Sequence, residues 1–330
     1  MNYQGFLDAV KKLNKNSSFY GNAVLYEMAA QSKSFKPEQL AGAMWLIGRS
    51  YAASPQRRSY SKESKWSARP DNDGRDGFFK YIAEIIAKEM DTRCLKDMPK
   101  ALPFSENVPE ELVKSIAAVL NFNLALSDAI KKFDKAPDKA ICNNHISFCS
   151  KFLHFYYPQA VFIIDDYAET GAISLFNGDM DKHWRYICNP DNEDTYDPLK
   201  VQQNHTKYSF TGEVYKEFNK DTVNEYVKEL NNRQVIKDIM EKYGERNPNA
   251  AQNYIAHCVR SYLLGCKLNG VVEPWVNLTE EKERILSMPR LTDTVFLNIK
   301  RSLTQSEWDK YRQLHQQYGL YQELPAEMPK

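Results

Sequence analysis

The stretch between His145 and Ala168 constrains the fold of this chain more than any other feature of the sequence. Apolar residues recur at helical spacing up to Tyr156, which predicts a helix with a broadly apolar face. Pro158 lacks an N–H group and disfavours helical geometry at Tyr157, so this helix is predicted to end there. The apolar run after the proline is too short for an exposed loop. It is predicted to be a buried connection or one short strand.

Two adjacent carboxylates, Asp165 and Asp166, follow this apolar run. One interpretation is that either aspartate caps a helix predicted over residues 167–176 by accepting hydrogen bonds from its first backbone N–H groups. The other interpretation is that a carboxylate at the end of a buried segment is a chemical group of a functional site. The residues alone leave both interpretations open.

A lysine on a helix, a proline turn and an apolar run ending in aspartate resemble the end of the helix-hairpin-helix DNA glycosylases, the 8-oxoguanine DNA glycosylase type in particular. The resemblance is confined to this stretch. It implies that Asp165 is a catalytic carboxylate, with Asp166 in reserve, and that Lys151 matches the lysine nucleophile of bifunctional members. The chain departs from the family in two ways: residues 136–150 contain no glycine for the hairpin turn, and the lysine-to-aspartate interval is shorter.

Residues 49–69, here called the basic segment, contain six cations and one acid, interleaved with serines and aromatic residues. Such a mixture can contact phosphates and stack on bases, which makes this segment a candidate DNA-binding element. The alternative is a solvated loop whose cations balance acids elsewhere, because the net charge of the chain is only +1. The candidate phosphate-binding residues are Arg49, Arg57, Arg58, Lys62, Lys65 and Arg69.

Excision of a base requires a carboxylate that stabilises positive charge on the sugar and activates water. It also requires aromatic side chains that hold the flipped base. His154, Tyr156 and Tyr157 are the candidate base-pocket residues. We therefore predict a DNA glycosylase-like protein that needs no cofactor, with a role in defence against foreign DNA as one conjecture. The alternative is a non-catalytic helical module or a subunit of a larger assembly, with a protein partner.

A zinc site is a weaker alternative. Cys142, His145 and Cys149 form one group of nitrogen and sulfur ligands, and His183 and Cys188 form another. Zinc sites commonly have tighter paired spacings, so the sequence favours no metal.

The remaining sequence predicts a mainly α-helical fold with two helical lobes, residues 1–135 and 136–330. A polar, acidic excursion is predicted around residues 177–207. No apolar run has the length of a membrane span and the N-terminus has no signal pattern, so a cytoplasmic protein without a membrane segment is expected. Proline and glycine positions and hydrophobic periodicity predict helices over residues 22–31, 34–53, 78–90, 110–133, 222–243 and 249–268, and another starting at Thr279.

Overall fold

The computed structural model describes part of the chain. The described residues are 3, 4, 7, 20–31, 36–50, 75–90, 95, 97–105, 107–134, 145–177, 217–244, 248–271, 275–276 and 285–301. Within them the fold is mainly α-helical, which confirms the predicted fold class. A two-residue antiparallel pair, β1 (Trp275–Val276) with β2 (Ile285–Leu286), is the exception.

The helices are numbered here in chain order. They are α1 (Tyr20–Gln31), α2 (Pro37–Ser50), α3 (Arg75–Glu89), α4 (Glu110–Asp134), α5 (Ile146–Tyr156), α6 (Asp166–Asn177), α7 (Lys220–Asn232), α8 (Gln234–Tyr243), α9 (Pro248–Leu268) and α10 (Met288–Arg301).

Residue types at the helix ends explain several of these bounds. Pro37 occupies the first position of α2, where a missing N–H group is tolerated. Acids lie in the first turn of α4 and lysines in its last turn, as the helix dipole favours. The chain leaves α9 at Gly270, whose φ of 75° is a conformation that favours glycine. Residues 97–105 and 107–109, here called the connector, contain no helix.

The prediction of one continuous helix over residues 222–243 is wrong. Arg233 adopts an extended conformation and separates α7 from α8. The two helices then pack against different partners, α7 mainly against α9 and α8 mainly against α4. The Tyr243 hydroxyl at the end of α8 donates to the Leu120 carbonyl of α4, and the side-chain amide of Asn123 donates to that hydroxyl. Neither proline nor glycine marks the break.

Helices α4, α5, α6, α9 and α10 bury the residues around the stretch that ends at Asp165. The closest approach is between α6 and α10, where a Cβ atom on Gly171 would lie 2.0 Å from the Phe296 carbonyl oxygen. Within the described ranges, one helix, α4, is long and apolar enough to cross a membrane, but 78% of its most apolar window is buried inside the fold. Burial of that extent is also the property of a core helix in a globular protein.

Several predictions fall outside the described residues. These are the acidic excursion beyond residue 177, the basic segment beyond residue 50, and the helix start at Thr279. Buried residues from both sides of residue 135 belong to one hydrophobic core cluster. The division of the chain into lobes at that residue stays a prediction.

Candidate functional site

Residues 160–165, here called the Asp165 segment, run through the core without belonging to a sheet. Residues 160–164 are buried, so their backbone polar groups need partners inside the protein. Side chains from three helices supply them. The hydrogen bonds are Ser115 Oγ to the Ala160 carbonyl at 2.7 Å, His154 Nδ1 to the Val161 carbonyl at 2.7 Å, Tyr254 Oη to the Phe162 carbonyl at 3.3 Å, His257 Nε2 to the Ile163 carbonyl at 2.8 Å, and the Ile164 N–H to Ser150 Oγ at 3.2 Å.

The two histidines that bind the Asp165 segment are buried and neutral. A carbonyl only accepts hydrogen bonds, so His154 carries its proton on Nδ1 and accepts from the Tyr26 hydroxyl at Nε2, 2.5 Å away. Burial lowers the pKa of His154 to about 3, with Arg290 contributing in the same direction. Burial also lowers the pKa of His257 to about 4, with a contribution from the charge of Arg260.

Asp165 occupies the end of this segment and the start of α6. Its Oδ1 accepts a hydrogen bond from the Ala168 backbone N–H at 2.9 Å, so the predicted helix-capping role is confirmed for Asp165. Its Oδ2 lies 3.3 Å from Lys151 Nζ, which donates a further hydrogen bond to Ser147 Oγ at 3.3 Å. Lys151 and Asp165, which the sequence resemblance singled out together, are therefore direct neighbours in space.

The two partners of this ion pair differ in exposure. The Lys151 side chain is 4% exposed, whereas the Asp165 side chain is 25% exposed. Burial raises the pKa of Asp165, but the Lys151 ammonium and the Ala168 amide outweigh it, so the pKa lies below its ordinary value. The site thus holds an anionic carboxylate at the edge of the core, with its cation on the inner side.

The other predicted site residues lie in different environments. His154 is fully buried and both of its ring nitrogens are hydrogen-bonded inside the protein, so it supports the Asp165 segment and offers no polar atom to a base. Tyr156 and Tyr157 are half-buried at the end of α5. The backbones of Asp166 and Arg49 belong to α6 and α2, but their side chains are outside the described part of the structure. So are Arg57, Arg58, Lys62, Lys65 and Arg69.

Sequence reasoning missed three residues that hold the Asp165 segment, namely Ser115, Tyr254 and His257. They lie 45, 92 and 94 residues from their partners along the chain. The only available signal was polar character at positions that lie among apolar residues of a helix. Such a signal also fits a hydrogen-bonded core residue with no part in a site.

Metal ligands are the remaining possibility for this region. Cys149 and His145 are buried, whereas Cys142, His183 and Cys188 lie outside the described residues. Among the residues that the structure describes, no group of three or more His, Cys, Asp or Glu side chains is arranged to hold a metal ion. Comparison with known protein families, curated proteins and solved structures found no match for this chain.

Proposed function

We propose that this chain is a DNA glycosylase-like protein that excises a modified base, with Asp165 as the catalytic carboxylate. The observation that carries the proposal is the ion pair of Asp165 and Lys151, 3.3 Å apart at the start of α6. The resemblance in sequence to the DNA glycosylases singles out the same two residues. The partial exposure of Asp165 leaves part of the carboxylate facing outward, where a substrate has access to it.

The chemistry of the proposed reaction requires a fixed negative charge. As the bond between a deoxyribose and its base weakens, positive charge develops on the sugar, and an anionic carboxylate stabilises it. In the proposed step a water oxygen bonds to the sugar C1′. The bond from C1′ to the base nitrogen breaks with its electron pair passing to the base, and the proton lost by water passes through Asp165 to the departing base. The lowered pKa of Asp165 keeps the carboxylate anionic at neutral pH.

Lys151 has a supporting role in this proposal. Its ammonium group contacts both Asp165 and Ser147, and its side chain is almost completely buried. An amine in that position cannot reach a sugar carbon while the ion pair is intact. We therefore assign the attack to water and assign to Lys151 the task of fixing the orientation and charge of Asp165.

The test compares base release by the native chain and by Asp165→Asn on duplexes that each carry one modified base. Asparagine retains an oxygen that can cap α6 but carries no charge. We expect the substitution to lower the rate of base release by about a hundredfold or more. Equal rates in the native chain and the variant would overturn the assignment of Asp165.

A double variant separates charge from stability. Asp165→Asn alone leaves the Lys151 ammonium buried without its counter-charge, which we expect to cost about 1–3 kcal/mol of stability. Combining it with Lys151→Met removes that unpaired charge, so the melting temperature should recover while base release stays absent. Recovery of base release in the double variant would exclude Asp165 as the catalytic group.

Binding to DNA is tested through the basic segment. Replacing Arg57 and Arg58 by alanine should weaken binding to duplex DNA and reduce its dependence on salt concentration, because fewer counterions are released. Replacing Lys237 and Lys242, two exposed lysines of α8, removes the same charge elsewhere and is the matched control. Identical salt dependence in the two double variants would remove the basic segment from the proposal.

A second candidate function is a non-catalytic helical module, and one observation favours it. Asp165 Oδ1 is engaged by a backbone amide, which is what a purely structural cap requires. In that case the native chain releases no base from any duplex, and Asp165→Asn changes only the melting temperature.

A further inference from the structure

His257 contacts the Asp165 segment from the side of α9. Its Nε2 donates to the Ile163 carbonyl, two residues before Asp165, and its ring meets the ring of Phe296 edge-on with centroids 5.8 Å apart. Both contacts fix the plane of the imidazole. Because Nε2 carries the proton in the neutral ring, Nδ1 presents a lone pair.

The two histidines that bind the Asp165 segment differ in the hydrogen bonding of their second ring nitrogen. His154, the other histidine on the segment, has both ring nitrogens hydrogen-bonded, whereas Nδ1 of His257 is buried and has no partner among the described residues. A buried acceptor without a donor costs about 1–3 kcal/mol, and the fold bears this cost at a ring whose other nitrogen binds the Asp165 segment. The charge of Asp165 acts on this imidazole, so the ring lies within electrostatic range of the carboxylate.

We propose that His257 is a positioning residue for Asp165, which acts through the Ile163 carbonyl to hold the carboxylate against Lys151. This inference rests on the proposed base excision and adds a residue from α9 to it. The Ile163 carbonyl and the Asp165 carboxylate are separated by only one residue, so a shift at Ile163 is passed to Asp165. A displacement of about 1 Å at a reacting group is enough to lower a rate by about a hundredfold.

The experiment compares His257→Ala with His257→Gln, since the glutamine amide can donate to the Ile163 carbonyl in place of Nε2. We expect the alanine variant to lower kcat for base release by about a hundredfold with little change in KM, and glutamine to restore most of the rate. Tyr262→Phe is the matched control, because it removes a hydroxyl donor of the same helix, α9, that contacts the connector carbonyl of Pro103 and not the Asp165 segment. Equal losses in the alanine and glutamine variants, or an equal loss in the control, would overturn the proposal.

A second readout does not depend on activity. The titration of the Asp165 side-chain carboxyl is followed by carbon NMR in the native chain and in each variant. We expect the pKa of Asp165 to rise in His257→Ala and to stay near the native value in His257→Gln and Tyr262→Phe. An unchanged titration in His257→Ala would overturn the positioning role. A native chain that releases no base contradicts the proposed function instead, and the titration still decides whether His257 holds the carboxylate.

Discussion

Two stretches of irregular backbone pack against α9, and they are held in different ways. The Asp165 segment is buried, and five side chains from α4, α5 and α9 each bind a different backbone group of it. The connector is partly exposed, and one hydroxyl, that of Tyr262, lies within 2.8–3.0 Å of its carbonyls at Pro103, Ser105 and Asn107. The Cys266 thiol and the Asn269 amide also contact the connector, but at exposed positions. Contacts inside the core restrict position more than contacts that water can replace. The segment that ends in Asp165 is therefore the more restrained of the two.

The largest expected effect on the free energy of unfolding comes from alanine substitutions of glycines that lie near the two stretches. Alanine at Gly171 in α6 would bring its Cβ within 2.0 Å of the Phe296 carbonyl oxygen, and backbone cannot move aside without separating α6 from α10. We expect a loss of about 3 kcal/mol or more in the free energy of unfolding. Alanine at Gly265 in α9 meets the Phe104 ring of the connector at 2.3 Å, and a ring of that stretch can move, so a smaller loss is expected.

Gly42→Ala is the control for these glycine variants, because nothing lies within 4 Å of its added Cβ. It should raise the free energy of unfolding by up to about 1 kcal/mol through the higher helix propensity of alanine. Urea unfolding of all three variants measures the order. If the Gly171 variant is as stable as the Gly265 variant, the packing beside the Asp165 segment is no less able to adjust than the packing beside the connector, which would contradict the comparison.

The next effect is a dependence of stability on pH that arises from the two buried histidines that bind the Asp165 segment. The pKa values of His154 and His257, about 3 and about 4, lie below the ordinary value of 6.5. Between pH 6.5 and about 4 the unfolded chain therefore binds protons that the native chain does not, and stability falls as the pH falls. Each histidine contributes at most about 1.4 kcal/mol per pH unit to that slope.

Glutamine at His154 or His257 should flatten this slope, whereas Tyr262→Phe in the connector contact should leave it unchanged. Unfolding by urea at several pH values between 4 and 7 gives the slopes. If the slope of a glutamine variant equals that of the native chain, the histidine concerned is not a buried neutral group.

A smaller effect separates the single hydrogen bonds of the two stretches. Ser115→Ala leaves the buried Ala160 carbonyl without its donor, at an expected cost of about 1–3 kcal/mol. Tyr262→Phe frees connector groups that water can reach, at an expected cost of about 1 kcal/mol. Thermal unfolding of the two variants compares them directly. A Tyr262 variant less stable than the Ser115 variant would reverse the comparison.

The smallest expected effect is that of the exposed ion pair between Lys267, at the end of α9, and Glu217. Both side chains are more than 40% exposed, so solvent and salt screen the pair. Lys267→Met should cost less than about 1 kcal/mol, and the loss should shrink further in high salt. A loss larger than that of Ser115→Ala would show that exposed contacts restrain the fold as strongly as buried ones.

The fold was predictable where local rules decide it. Hydrophobic periodicity and Pro158 predicted α5 and its end, and periodicity together with the proline and glycine positions predicted the helix over residues 110–133 that matches α4. The break at Arg233 was not predictable, because the separate packing of α7 and α8 determines it and no local breaker marks it.

The candidate site was predictable only in part. The resemblance in sequence singled out Lys151 and Asp165, but it did not predict the ion pair that the two side chains form. The contribution of His257 depends on where α9 packs, and a single sequence contains no record of that contact. His154 was expected to contact a base, because an aromatic ring beside a site is suited to that. Its burial instead directs the ring to the support of the Asp165 segment, which its residue type does not reveal.

The most direct test of the account is release of free base, measured by mass spectrometry, from DNA that carries a mixture of modified bases. The account predicts that the native chain releases at least one base, and that Asp165→Asn, matched in folding by circular dichroism, releases none. Absence of free base with the native chain, across the whole mixture and with DNA binding demonstrated, would contradict it.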